Sequence, residues 1–277
     1  MLSNEKIILP IRPRLSYTVR RAVLSQRFVV SAALIIIAAL SWIFLIITPS
    51  DSVQMFNMVT MMGYEGIGLF LLTWMVMMVA MMLPSAAPMV QAYVSLTAEK
   101  QTRTRWVSMR AASFIGSYIF IWTALGLVVA AAYFVLWDKI LRLGTTGDTG
   151  AAIAGAALVV AGFYQLTPLK QVCLKTCRSP IHFLMTRYRQ GLAGALSLGL
   201  YHAGSVSYTH LTLFVVLFSV GVMSLPWMAL LSVIIFFEKN VPGGKKASYL
   251  IGFMFIVFGF LLITSPELGT SILMAGK

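Results

Sequence analysis

The chain is 277 residues long, 59% apolar and only 10% charged, with a formal net charge of +13. A soluble domain keeps about a quarter of its residues charged, so this composition excludes one and places the chain among integral membrane proteins. The basic excess is read as membrane orientation and attraction to anionic lipid head groups, about 1 kcal/mol per residue near the surface, which makes the lipid bilayer the partner and excludes nucleic acid.

Residues 1–27 form a basic cytoplasmic N-terminal segment with Lys6, Arg12, Arg14, Arg20, Arg21 and Arg27. Pro10, Pro13, the length of the following apolar run and the lack of a small-residue cleavage site argue for a retained anchor and against a signal peptide. Crossing a hydrocarbon layer of ~30 Å takes about 20 helical residues, and apolar runs of that order lie near 28–48, 67–90, 112–135, 150–166, 191–221 and 248–264. A shorter run near 225–237 completes the set. The expectation is an all-α fold: a polytopic membrane helix bundle of about seven transmembrane helices over 28–264, ending in a short extracytoplasmic tail, 265–277.

Charge supports that count. Lys100, Arg103, Arg105 and Arg110 lie in the second connection, Lys170, Lys175, Arg178, Arg187 and Arg189 in the fourth, and Lys239, Lys245 and Lys246 before the last run. With the N-terminus cytoplasmic, these alternate connections all fall inside and leave Lys139, Arg142 and Lys277 outside, as the positive-inside rule expects. Dropping the short run would put the cluster at 239–246 outside, so it is kept as a span.

The second run carries Met75, Met77, Met78, Met81, Met82 and Met89 among its apolar residues, followed or interrupted by Pro84 and Pro88. On a helix Met75, Met78, Met82 and Met89 fall within about 60° of one another. Such a stripe either fills irregular apolar space with flexible thioethers or turns soft sulfur toward a soft metal, with Met78 and Met82 as candidate ligands. The prolines free backbone carbonyls near the span end, a feature that transporters use. Just upstream, Asp51 and Glu65 bracket Met55, Met58, Met61 and Met62, a group that suits either a cation-gathering surface or a solvated loop.

Cys173 and Cys177 fall in the fourth connection, on the side where thiols stay reduced, which disfavours a structural disulfide. As an i, i+4 pair among Lys170, Lys175 and Arg178 they could offer two thiolates to one metal, with His182 as a third ligand. The alternative is a basic interfacial helix with two small apolar side chains. The fifth run is polar at its middle, holding His202, Ser205, Ser207, Tyr208, Thr209, His210 and Thr212. Ionisable groups at membrane depth mark a pathway, relay or ligand site by default, so His202 and His210 are candidate metal ligands. They differ by about 80° around the helix and ~12 Å along it, so one ion does not reach both without a distortion. A hydrogen-bonded polar seam between helices is the competing reading for His202, helped by the small-residue spacing Ala195, Gly199, Ala203, Ser207. Glu238, followed by Lys239, suggests an ion pair at the interface or to another helix. No catalytic constellation is present: there is no phosphate-cradling glycine loop, no nucleophile with a base at a recognisable spacing, and no complete zinc or haem set.

These pieces resemble the DUF2182 family, bacterial and archaeal integral membrane proteins described as metal-binding. The resemblance covers most of the chain after residue 60. It rests on Trp74, the Ala80-Met81-Met82-Leu83-Pro84-Ser85 string and Pro88-Met89, then on Tyr164-Gln165-Leu166-Thr167-Pro168-Leu169-Lys170 leading to Cys173, Cys177, Arg178, Ser179 and Pro180. It continues through His202, Gly221-Val222-Met223, Trp227-Met228 and Glu238-Lys239. It implies the cytoplasmic (inner) membrane of a bacterium or archaeon. In the family the stretch after the histidine reads Cys-x-Gly-Cys-Cys-Trp, and here those places hold Val206, Tyr208, Thr209, His210 and Leu211, with His210 able to replace one ligand. Residues 206–213 also spell the translation of a common sequencing-library transposon adapter, an origin under which the native chain retains the cysteines.

The leading expectation is a membrane protein that binds or hands on a soft transition metal, copper first, because Cu(I) suits thioether and imidazole donors. An accessory, non-catalytic subunit of a hetero-oligomeric complex such as a copper-dependent membrane oxidase or monooxygenase is the alternative. A small-solute or ion transporter using the polar seam is the third.

Overall fold

The computed structural model describes residues 17–48, 63–100, 104–142, 148–171, 178–220, 224–241, 243–265 and 267. Among them run α1 (Tyr17–Ile47), α2 (Gly63–Lys100), α3 (Thr104–Arg142), α4 (Asp148–Leu166), α5 (Pro180–Arg187), α6 (Gly191–Val220), α7 (Leu225–Asn240) and α8 (Gly244–Thr264), with no strand among the described residues. Each apolar run expected to form a span coincides with one of these helices. Among the described residues four stretches are long and apolar enough to cross a membrane, Val23–Ile47, Glu65–Ala98, Thr104–Ala132 and Gly244–Thr264, and Gly150–Leu166 is a shorter apolar helix. The basic N-terminal residues before Tyr17 and the tail at 268–277 lie outside the described residues.

Local chemistry explains where helices begin and end. Proline near the first position starts both α5 and α7, where the missing N–H is not needed, and Arg187 and Lys239 sit in the last turns, opposite the partial negative charge of the helix end. Gly243 takes a left-handed φ of 88° immediately before α8, a turn that L side chains resist. The eight-residue α5 has no counterpart among the expected spans; it lies in the fourth connection and buries only Phe183 and Leu184.

Close backbone approach between helices holds the bundle together. The tightest pair is α4 with α8. A Cβ on Gly155 would stand 2.7 Å from the Gly259 carbonyl oxygen, and one on Gly162 would stand 2.6 Å from that of Gly252. Glycines seven residues apart on each helix therefore meet face to face. At Gly199 of α6 an added Cβ would run into Ser117 and the Phe114 carbonyl of α3, so that pair is also drawn close.

The peripheral helix α1 buries one narrow stripe, Val23, Leu34, Ala38 and Leu45, and leaves Phe28, Ile35, Ile36, Leu40 and Ile43 facing outward. It is pinned to α2 by Gln91 Nε2, which donates to Ser31 Oγ at 2.8 Å, and by Trp42 Nε1, which donates to the Ala80 carbonyl at 3.1 Å. The second bond has a plain cause. Pro84 has no N–H to offer the carbonyl four residues earlier, which is that of Ala80, and the indole takes its place. The freed carbonyl thus serves packing, and α2 continues as helix through both prolines. On the opposite side Trp74 Nε1 donates to the Trp122 carbonyl at 2.9 Å, with the indole laid against Gly126, where a Cβ could not fit.

Candidate functional site

The α2 methionines do not form one sulfur face with the rest of the helix turned away. Met77 and Met81 are as buried as Met78 and Met82, and all four join Trp74, Tyr118, Trp122 and Met228 in one core cluster. Met75 and Met89 pack against the neighbouring cluster, around Tyr93, Phe114 and Leu184. The physical reason is that α2 is covered by α1, α3 and α7, so more than one side of it is interior. Met78 opens onto a narrow apolar cleft shared with Val79, Leu83, Tyr118, Ile119 and Trp122.

On α6 the polar residues separate by direction. Tyr201 and Tyr208 face outward; Arg187 lies 4.4 Å over the Tyr201 ring, and the Tyr208 carbonyl accepts from Tyr164 Oη at 2.7 Å. The Ser207 hydroxyl returns to the Ala203 carbonyl at 2.9 Å, and that of Thr209 to the Ser205 and Val206 carbonyls at 3.0 and 2.9 Å. These hydroxyls are satisfied within their own helix. Both histidines point inward and are fully buried.

His202 is enclosed by three aromatic rings. Phe114 and Tyr118 of α3 lie nearly parallel to it, with centroids at 6.0 and 5.6 Å, and Phe183 of α5 meets it steeply at 5.8 Å. Neither ring nitrogen has a hydrogen-bond partner. The interhelical donor role open to it from sequence is therefore not taken up. Tyr118 both stacks on His202 and lines the cleft with Met78, so one ring stands between the imidazole and the thioether.

His210 sits in different surroundings. Its Nδ1 is 3.0 Å from the Val206 carbonyl, an acceptor, and so carries a proton, with the Thr209 hydroxyl at 3.1 Å. Its Nε2 has no hydrogen-bond partner and lies 3.7 Å from Glu238 Oε2. Glu238 is a hub. Lys170 Nζ donates to both carboxylate oxygens, at 2.9 and 2.8 Å, with both side chains wholly buried. Arg178 Nε donates to the Glu238 carbonyl at 2.7 Å, and Arg178 Nη2 to that of Val241 at 3.3 Å. Burial pushes the Lys170 ammonium below the ordinary lysine range, and the Glu238 carboxylate pulls it back up. Next along α7, Lys239 turns the other way and donates to Ser85 Oγ at 3.2 Å, whose hydroxyl donates in turn to the Met82 carbonyl at 2.9 Å.

Glu238 thus makes the link to another helix that its sequence suggested, but at full burial and not at an interface. Lys170 stands in the sequence as one of the basic residues around the cysteine pair and as the end of the string at 164–170; its place at the end of an apolar run was the available signal that it is buried. The ring enclosure by Phe114, Tyr118 and Phe183 had no sequence signal, because aromatic residues are frequent throughout. Cys173, Cys177, Asp51, Met55, Met58, Met61 and Met62 lie outside the described residues, Glu65 is exposed, and so is His182. Among the described residues no three of His, Cys, Asp and Glu converge on a point where they could hold a metal ion.

Among the described residues the structure is all helix, with four apolar stretches long enough to cross a membrane, which is consistent with a membrane protein. Residues 71–262 match the model of the PpoB2 copper chaperone family, and the chain belongs to that family. The match runs from α2 into α8 and includes His202, His210, Lys170 and Glu238. Neither the curated proteins nor the solved structures compared with the chain yield a match.

Proposed function

We propose that the protein is a multi-pass membrane copper chaperone that takes copper as cargo inside the bundle, with His202 as its principal donor and Met78 and Met82 beside it. The observation that carries this is the buried imidazole with both nitrogens unpartnered, in a chain that belongs to a copper chaperone family. A buried polar atom without a partner is costly and rare, and an absent ligand is one of the few things that explains it. The donor set suits the ion: imidazole nitrogen and thioether sulfur are soft enough for Cu(I), and the surrounding rings keep water away. Tyr118 would have to turn aside for Met78 and His202 to face one ion.

The same reading gives the chain seven spans, a cytoplasmic N-terminus and a place in the inner membrane of a bacterium or archaeon. Support comes from the coincidence of helices with apolar runs, from the alternation of basic connections and from the likeness to DUF2182 proteins. At 16 residues α7 is about 24 Å long, short for a span, and at its end Glu238 is paired with Lys170 while Lys239 donates to the Ser85 hydroxyl.

The test is anaerobic Cu(I) titration of the purified full chain against a chromophoric chelator. Stoichiometric copper is expected, with affinity weakened by about tenfold or more in His202→Gln and less in Met78→Leu/Met82→Leu. A folded His202→Gln protein that binds copper as tightly as the parent would move the site elsewhere, with Cys173, Cys177 and His210 the remaining candidates.

A further inference from the structure

Of the three rings around His202, two are carried by a long helix packed along its length. Phe114 and Tyr118 belong to the long α3, which is locked against α6 where Gly199 meets Ser117 and the Phe114 carbonyl. The third, Phe183, is on a different footing. It is carried by the eight-residue α5, which buries only Phe183 and Leu184 and leaves Ile181 and Met185 exposed. Two side chains can be withdrawn locally at far lower cost than a whole helix face, and short elements with few buried contacts are the ones that open below the global unfolding limit. The other ties can be named. Just before α5, Arg178 donates to the Glu238 and Val241 carbonyls and marks where the segment is anchored; Arg187 at the end of α5 lies over the Tyr201 ring, Tyr188 meets Tyr93 at 6.2 Å, and Gly191, with a φ of 87°, marks the turn into α6.

We propose that α5 is a lid over His202, with Phe183 as the ring that closes it, and that copper reaches or leaves this imidazole only when α5 lifts. The proposal rests on the copper reading above for its cargo but not for its motion. In the orientation read from charge, α5 belongs to a cytoplasmic connection, so the lid would open to the side where a donor or acceptor of copper meets the protein. Phe183 is then a positioning residue that controls access and need not touch the metal.

The chain contains three histidines, and they form their own controls: His182 is exposed on the lid itself, His202 is beneath it, and His210 is buried at the Glu238 centre. Diethyl pyrocarbonate labelling of the full chain in lipid nanodiscs, read residue by residue by mass spectrometry, measures access to each. His202 in the parent should react far more slowly than His182. Phe183→Ala should raise the His202 rate by about tenfold or more, since it removes one of the two anchors of the lid. Arg187→Ala changes an exposed residue and cannot unfold the core; it should raise the rate about two- to fivefold, the population shift that one exposed cation–π contact supports. His210 should be unchanged in both. A parent His202 that labels as fast as His182, or two folded variants that leave His202 at the parent rate, overturns the lid. If the variants label as expected but the parent takes no copper, the lid stands and the copper reading falls. If copper binds through His202 and its exchange rate ignores both variants, the lid falls alone.

Discussion

The two buried histidines of α6 sit about two turns apart and have opposite surroundings. His210 belongs to a charged centre: Nδ1 meets the Val206 carbonyl, Nε2 lies 3.7 Å from Glu238 without a hydrogen bond, and Glu238 is held by Lys170 and, through its backbone carbonyl, by Arg178. His202 has rings on its sides and no hydrogen bond at all. Burial alone therefore does not separate the two histidines; what separates them is that one is hydrogen-bonded and set beside a charge pair while the other has no polar contact. A buried charge pair fixes how helices meet, whereas an imidazole without any partner is a cost to the empty protein.

That contrast can be broken most forcefully at Glu238. Glu238→Leu leaves the Lys170 ammonium buried without a counter-charge and should lower stability by about 3–5 kcal/mol in detergent unfolding, while Lys170→Met combined with Glu238→Leu should recover most of it. A single variant as stable as the parent would show that the centre does not hold the fold together. Next in size, His202→Leu should stabilise the copper-free protein by about 1–3 kcal/mol, because it removes an unpartnered polar group, and should at the same time abolish copper binding. Loss of stability there would mean that the imidazole has a structural role after all. The smallest effect is expected for His210→Leu, about 0.5–1.5 kcal/mol destabilising through the lost bond to the Val206 carbonyl.

Parts of this were legible in the sequence for definite reasons. A bilayer sets helix length and favours Lys and Arg at the ends, which is why apolar runs could be picked out, and the helices fell where those runs did. His202 and Glu238 stood out because ionisable groups are scarce in apolar segments. The stripe of Met75, Met78, Met82 and Met89 was less informative than its period suggested. Three covering helices make several faces of α2 interior, and a periodicity argument presumes one. Pro84 likewise pointed to a freed carbonyl without showing that Trp42, from a different helix, would occupy it.

What the sequence determined alone was the class of architecture: apolar runs this long, with so few charges between them, have to satisfy their backbone internally, and helices do that one segment at a time. Only the tertiary structure decided which polar groups find one another. Lys170 and Glu238 are 68 residues apart and meet because α4 is drawn against α8 by facing glycines and α7 closes over the same end. Phe183 comes to lie on His202 because a short helix folds back across α6. Such meetings depend on the angle and depth at which helices pack, and those follow from side chains far apart in the chain acting together.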